Sequence, residues 1–223
     1  MILRYVAVLG LFAGLLGCER PRENPPASSQ TPTPSLEQPS VVFLGTSLTA
    51  GLGLDPEQAY PALIQKKIDT AGLGYRVVNA GVSGETSAGA LRRVDWLFQQ
   101  PVSVLVVETG ANDGLRGLPP DSLRANIQAI FDRAKRLRPP PKLVLLGMRV
   151  PPNYGRTYSQ QFQALYPELA RANGATLVPF LLQDVGGIAG LNQADGVHPT
   201  AEGQRKMAET VWKVLESVLK RKA

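Results

Sequence analysis

Only one histidine occurs in the chain, His198, and an acid precedes it by three residues in Asp195-Gly196-Val197-His198-Pro199. An imidazole with an ordinary pKa of about 6.5 takes and returns a proton near neutral pH, which few other side chains do. A carboxylate at this spacing can bond one ring nitrogen and leave the other free, the orienting half of a nucleophilic triad. The missing half is a nucleophile, and Gly45-Thr46-Ser47-Leu48-Thr49 offers the Ser47 hydroxyl at the opposite end of the chain. A hydroxyl is a weak nucleophile until a base removes its proton during attack. The tetrahedral adduct then needs donors for its oxyanion, each worth about 10²–10³ in rate. Candidate donors are the Ser47 N–H, the N–H of Gly81, where no side chain blocks approach, and the Asn112 side-chain amide. Singly, each feature has a plainer reading: a helix cap for the serine, a turn for Asn112-Asp113-Gly114, a helix start for the histidine.

The elements that must position these groups follow from hydrophobic patterning. Short apolar runs at Val41–Gly45, Tyr75–Val78, Val102–Glu108, Lys142–Gly147 and Thr176–Val178 read as strands. Helical spacing appears at about 57–71, 87–98, 120–137, 158–173 and 200–219, with Pro139-Pro140-Pro141 stopping the third and Gly174 the fourth. Continuous apolar strands alternating with helices predict an α/β fold with a parallel sheet covered on both faces. In such sheets chemistry collects where strands end. Ser47, Asn79-Ala80-Gly81 and Gly110-Ala111-Asn112-Asp113 each follow a strand, and Asp195 and His198 lie in the loop before the last helix. Four loops thus bring hydrolytic residue types to one edge.

With the blocks in view, the chain resembles the GDSL or SGNH hydrolase family. Gly45-Thr46-Ser47-Leu48, Asn79 with Gly81, Gly110-Ala111-Asn112-Asp113 and Asp195-Gly196-Val197-His198 look like its blocks in order and spacing. The segments 79–87, 112–117 and 149–155 are similar to the branch of acyl-CoA thioesterases, lysophospholipases and arylesterases. The resemblance implies a three-layer α/β/α sandwich with a five-stranded parallel sheet. It implies Ser47 as nucleophile, His198 as base, Asp195 as orienting acid, and Gly81 and Asn112 as oxyanion donors with the Ser47 amide. Neither metal nor cofactor is implied. The loop after Asn112, residues 114–119, is expected either to close over an acyl chain through Leu115 and Leu118 or to be an ordinary surface loop. Thr46 departs from the family, which usually has Asp there; that aspartate is not one of the three, so activity is expected to survive. The function expected is hydrolysis of acyl esters (lysophospholipid, fatty acyl or aryl, and possible thioesters) through an acyl-enzyme. A carbohydrate O-acetylesterase of the cell envelope and a non-catalytic binding lipoprotein are the rivals.

Composition sets the wider frame. The 223 residues carry a net charge of +6, but the cations scatter over helix ends, where the macrodipole favours them, with no interleaved aromatic residues to stack bases. A nucleic-acid partner is therefore not expected. Gly51-Leu52-Gly53 is no dinucleotide fingerprint, because Pro56 stands where its third glycine belongs. No run is long enough for an ordinary transmembrane helix. Arg4 followed by an apolar run to Leu16 has the outline of an export signal, and Leu15-Leu16-Gly17-Cys18 resembles a bacterial lipobox. The expected organisation is a signal peptide at 1–17, a Pro/Ser/Thr-rich disordered linker at 18–39 and a hydrolase domain at 40–223. Acylation of Cys18 would tether an exported monomer to a bacterial membrane.

Overall fold

The computed structural model describes residues 38–221. The expected signal segment, Cys18 and nearly all of the expected linker lie outside them. Five strands form one wholly parallel sheet: β1 (Ser40–Gly45), β2 (Arg76–Gly81), β3 (Val104–Glu108), β4 (Lys142–Leu146) and β5 (Thr176–Val178), in the spatial order β2-β1-β3-β4-β5. Strands β1 and β3 are buried along their whole length, which is why Val41–Leu44 and Val104–Val107 are continuously apolar rather than alternating. Between and after them run α1 (Ser47–Ala50), α2 (Tyr60–Thr70), α3 (Ser87–Leu97), α4 (Ala111–Leu115), α5 (Pro120–Lys135), α6 (Arg156–Asn173) and α7 (Ala201–Lys220).

Strand order dictates the layers. A parallel crossover is right-handed, so reversing its direction along the sheet puts its helix on the other face. The step from β1 to β2 runs one way and places α2 on the first face. The steps to β3, β4 and β5 run the other way and place α3, α5 and α6 on the second. Helix α7 returns to pack against α2, while α3, α5 and α6 pack in sequence. The result is the expected three-layer α/β/α sandwich. Its core draws on Phe43, Leu44, Leu105 and Val106 from the sheet, Ile64, Ile68, Met207 and Val211 on one side, and Ile127, Phe131 and Phe162 on the other.

Two local differences from the sequence expectation bear on function. Asn79-Ala80-Gly81 does not follow the second strand but completes it, pairing with Phe43, Leu44 and Gly45. An edge strand needs only its backbone to extend a ladder, so polar and glycine residues there hide the strand from apolar patterning. Ala111-Asn112-Asp113-Gly114-Leu115 is a short helix, not a turn. Gly110 turns the chain into it at φ 109°, and Asp113 is anchored by the Ser87 N–H and hydroxyl at 2.9 and 2.6 Å.

Candidate active site

Direction reverses at β1, and outside the carboxyl ends of the strands that flank such a point an α/β sheet leaves a crevice. Strand β1 ends at Gly45, and the chain turns through Thr46 into α1, whose first residue is Ser47. The turn is tight: a Cβ on Gly45 would come within 2.0 Å of Thr49 Oγ1 and 2.8 Å of Glu108 Oε2, so only glycine fits. As the first residue of a helix, Ser47 has an N–H without an intrahelical acceptor.

The loop leading to α7 brings up the histidine. Asp195 Oδ1 accepts from the backbone N–H groups of Val197 and His198, at 2.9 and 3.0 Å, and so shapes the turn that presents the ring. Its Oδ2 lies 2.6 Å from His198 Nδ1, and His198 Nε2 lies 2.9 Å from Ser47 Oγ. The backbone N–H of His198, then its imidazole, hold the Asp195 carboxyl well below the usual carboxylate range. An ionised carboxylate only accepts, so Nδ1 carries the ring proton and Nε2 is left to accept from the Ser47 hydroxyl. Gln193 ties this loop to the segment after α1, donating to Leu52 O at 2.7 Å and Pro199 O at 3.0 Å. Buried Gln204 of α7 accepts from the Tyr60 N–H (2.8 Å) and donates to Leu48 O (3.2 Å), fastening α7 to both α1 and α2.

Ser47 and His198 open onto a cleft of about 410 Å³, with Asn112 on its wall and an apolar lining that includes Leu48, Leu115, Met148, Val150 and Phe180. The Arg149 guanidinium lies 4.5 Å from the Phe180 ring centroid, a cation over an aromatic face at the same cleft. Leu115 thus lines the cleft and Leu118 does not. Tyr154 donates to Leu115 O and Tyr158 to Leu118 O, both at 2.8 Å, so residues 115–118 are pinned from the first turn of α6 and the segment just before it.

The donors expected for an oxyanion divide. Asn112 Nδ2 gives one hydrogen to Glu85 O at 3.0 Å and keeps a second. The Gly81 N–H is not free as expected, for it donates to Asn79 Oδ1 at 3.0 Å. Glycine is needed at 81 for packing, since a Cβ would fall 2.3 Å from the Ala50 nitrogen. Gly84 offers what Gly81 does not. Its φ of +77° belongs to the turn that also contains Glu85, the partner of Asn112, and its N–H has no hydrogen bond among the described residues.

Sequence reasoning also missed Glu108. This carboxyl, 1% exposed, accepts from the Thr46 N–H at 2.8 Å, from Thr46 Oγ1 at 3.0 Å and from Thr49 Oγ1 at 2.8 Å. Burial pushes its pKa up to about 7, against the lowering pull of those donors. The one signal in the sequence was a charge closing an otherwise apolar strand.

Residues 43–206 match the GDSL-like Lipase/Acylhydrolase family. The chain belongs to that family. Esterase TesA of Pseudomonas aeruginosa is 41% identical over 181 residues, covering 81% of this chain and 89% of the relative. Thioesterase 1/protease 1/lysophospholipase L1 of Escherichia coli is 36% identical over 182 residues, covering 81% and 85%. Among solved structures, the crystal structure of TesA superposes with a TM-score of 0.77 at 41% identity, covering 80% of this chain and 99% of that one. The GDSL-like chain is an ester-hydrolysing enzyme with the α/β/α architecture of such hydrolases. Small-molecule esters are its class of substrate.

Proposed function

We propose that this enzyme works through an acyl-enzyme on Ser47. The observation that carries the reading is the continuous chain from Asp195 Oδ2 through His198 to Ser47 Oγ, with steps of 2.6 and 2.9 Å, at an apolar cleft. Ser47 Oγ attacks the ester carbonyl while His198 Nε2 takes its proton. The oxyanion is met by the Ser47 N–H, the free Asn112 Nδ2 hydrogen and, in place of Gly81, the Gly84 N–H. Collapse expels the alcohol, or thiol for a thioester, which takes the proton from His198. Water then repeats the sequence and frees the acid. Asp195 stays ionised throughout and stabilises the imidazolium. Since His198 must be neutral to accept, kcat/KM rises with pH as it loses its proton.

The names of the relatives, esterase and thioesterase/lysophospholipase, support lysophospholipid, fatty acyl and aryl esters as substrates, with thioesters secondary for an enzyme outside the cytoplasm. The apolar lining supports an acyl chain longer than acetyl, and Leu115 is placed to touch it. A graded panel of p-nitrophenyl esters tests this. We expect kcat/KM to climb from acetyl to octanoyl by up to about fourfold per methylene buried. We expect Leu115→Ala to flatten the climb. A preference for acetyl over octanoyl would favour the O-acetylesterase reading instead.

The same proposal includes an export signal at residues 1–17, a linker at 18–39, the hydrolase domain at 40–223, and a lipid anchor at Cys18 on a monomeric enzyme. Among the described residues no helix is long and apolar enough to cross a membrane. An acyl anchor would hold the domain at a surface without one.

A further inference from the structure

Behind the serine lies a second polar cluster that the triad does not use. Thr46 and Thr49 flank Ser47 in the turn, and both point their hydroxyls at the Glu108 carboxylate, which the Thr46 N–H also reaches. Thr49 Oγ1 is 2.8 Å from Tyr60 Oη. Since Thr49 gives its single proton to Glu108, Tyr60 must donate to Thr49. Burial, then the negative Glu108, raise the Tyr60 pKa well above its usual value, which keeps that phenol a donor. Three donors from one turn therefore converge on one buried acceptor at the end of the neighbouring strand.

We propose that Glu108 is a positioning residue for the nucleophile, acting in its ionised form by clamping the turn Thr46–Thr49 so that Ser47 Oγ meets His198. The inference rests on the reading of Ser47 as nucleophile. Its geometric basis is that the clamp grips the residue before Ser47 by backbone and side chain, and the residue two beyond it by side chain. Protonating Glu108 would turn one acceptor site into a donor facing groups already arranged to donate. The turn would loosen at the point where a displacement of about 1 Å can cost about 10² in rate.

The ionisable surroundings are few. Tyr60 faces Glu108 from α2 and Tyr166 from α6, with Asp113 of α4 beyond Tyr166. From α3, Arg93 donates to Gly45 O at 3.3 Å and pairs with Glu85. Glu108 pairs in the sheet with Leu146 of β4, and the Gly45 end of β1 lies close, where a Cβ would fall 2.8 Å from Glu108 Oε2; neither residue titrates. From α7 the neutral Gln204 donates to Leu48 O. His198 stands beyond Ser47, bonded to its hydroxyl.

The test is the acid limb of log kcat/KM for a p-nitrophenyl ester, with far-UV circular dichroism confirming a folded enzyme at each pH. Two protonations, on His198 and Glu108, give the wild-type enzyme a limiting slope of two. Glu108→Gln, which cannot ionise, gives a slope of one and a kcat lower by about 10–10² with KM little changed. Thr46→Val removes one hydroxyl donor from the carboxylate but keeps the backbone bond. It should move the second ionisation up by about one pH unit, and it decides the matter if Glu108→Gln does not fold. A wild-type slope of one, a slope of two persisting in Glu108→Gln, or a limb that Thr46→Val leaves in place overturns the proposal. Fluorophosphonate labelling of wild-type Ser47 separates the two failures. Labelling with a slope of one removes only the role of Glu108, whereas no labelling removes the nucleophile reading beneath it.

Discussion

Glu108 and Asp195 show how the same functional group is set to opposite ends of its range. Asp195 lies in an exposed turn with two backbone N–H groups and an imidazole on it, and these favour the anion. Glu108 is buried among hydroxyls and phenols with no pairing cation among the described residues, and burial outweighs its donors. The consequence for stability has a definite sign. The folded state holds the Glu108 proton up to about pH 7, against an ordinary 4.5 for an exposed carboxyl. Between those values the native state binds more protons than the unfolded one, so this group's contribution falls as pH rises. The wild-type Tm should therefore decline relative to that of Glu108→Gln from about pH 4.5 to about pH 7 and run parallel above it. Parallel melting curves across that window in differential scanning calorimetry would show that the carboxyl is not raised.

At the scale of elements, the proposed active site lies where α1, α7 and the loop before α7 meet, and Gln204 is the joint. Replacing it with Ala leaves the Tyr60 N–H and the Leu48 carbonyl, both in buried surroundings, without partners. An unpaired buried polar group costs about 1–3 kcal/mol, which for a domain of this size lowers Tm by several degrees. Because Leu48 follows Ser47 directly, kcat should fall as well, with the Tm and the rate measured on one preparation. An unchanged Tm would mean that water replaces the amide. The five strands and five long helices were legible in the sequence because their apolar periods were long enough to override local ambiguity. Strand β2 past Val78 and helix α4 were not, since one is an edge strand carried by backbone pairing and the other is set by Gly110 and the distant Ser87–Asp113 bonds. Ser47, Asp195 and His198 were legible as types at block spacing. Glu108 and Gln204 were not, because their partners lie 62 and 144 residues away along the chain. The Gly81 N–H was misjudged because a glycine needed for close packing looks, in sequence, like one needed for a free N–H.

Taken whole, the molecule is a hydrolase domain whose proposed catalytic edge gathers Ser47, Asp195 and His198 from both ends of the folded sequence, so they meet only when the sandwich closes. The proposed tether acts at this scale too. Two or three acyl chains at about 0.8 kcal/mol per buried methylene anchor a domain stably, and one short chain does not. Changing Cys18 to Ser should move the enzyme from the membrane to the soluble fraction with its activity intact, as followed by fractionation and ester hydrolysis. Retention in the membrane fraction would contradict the anchor without touching the chemistry. The chemistry has its own test: mass spectrometry of the peptide containing Ser47 after a timed exposure to a fluorophosphonate, which captures a serine only when a base activates it. One adduct on Ser47 is expected in the wild-type enzyme, with a labelling rate about 10³-fold lower or less in folded His198→Ala. Labelling at another residue, or at the same rate without the imidazole, would contradict that chemistry.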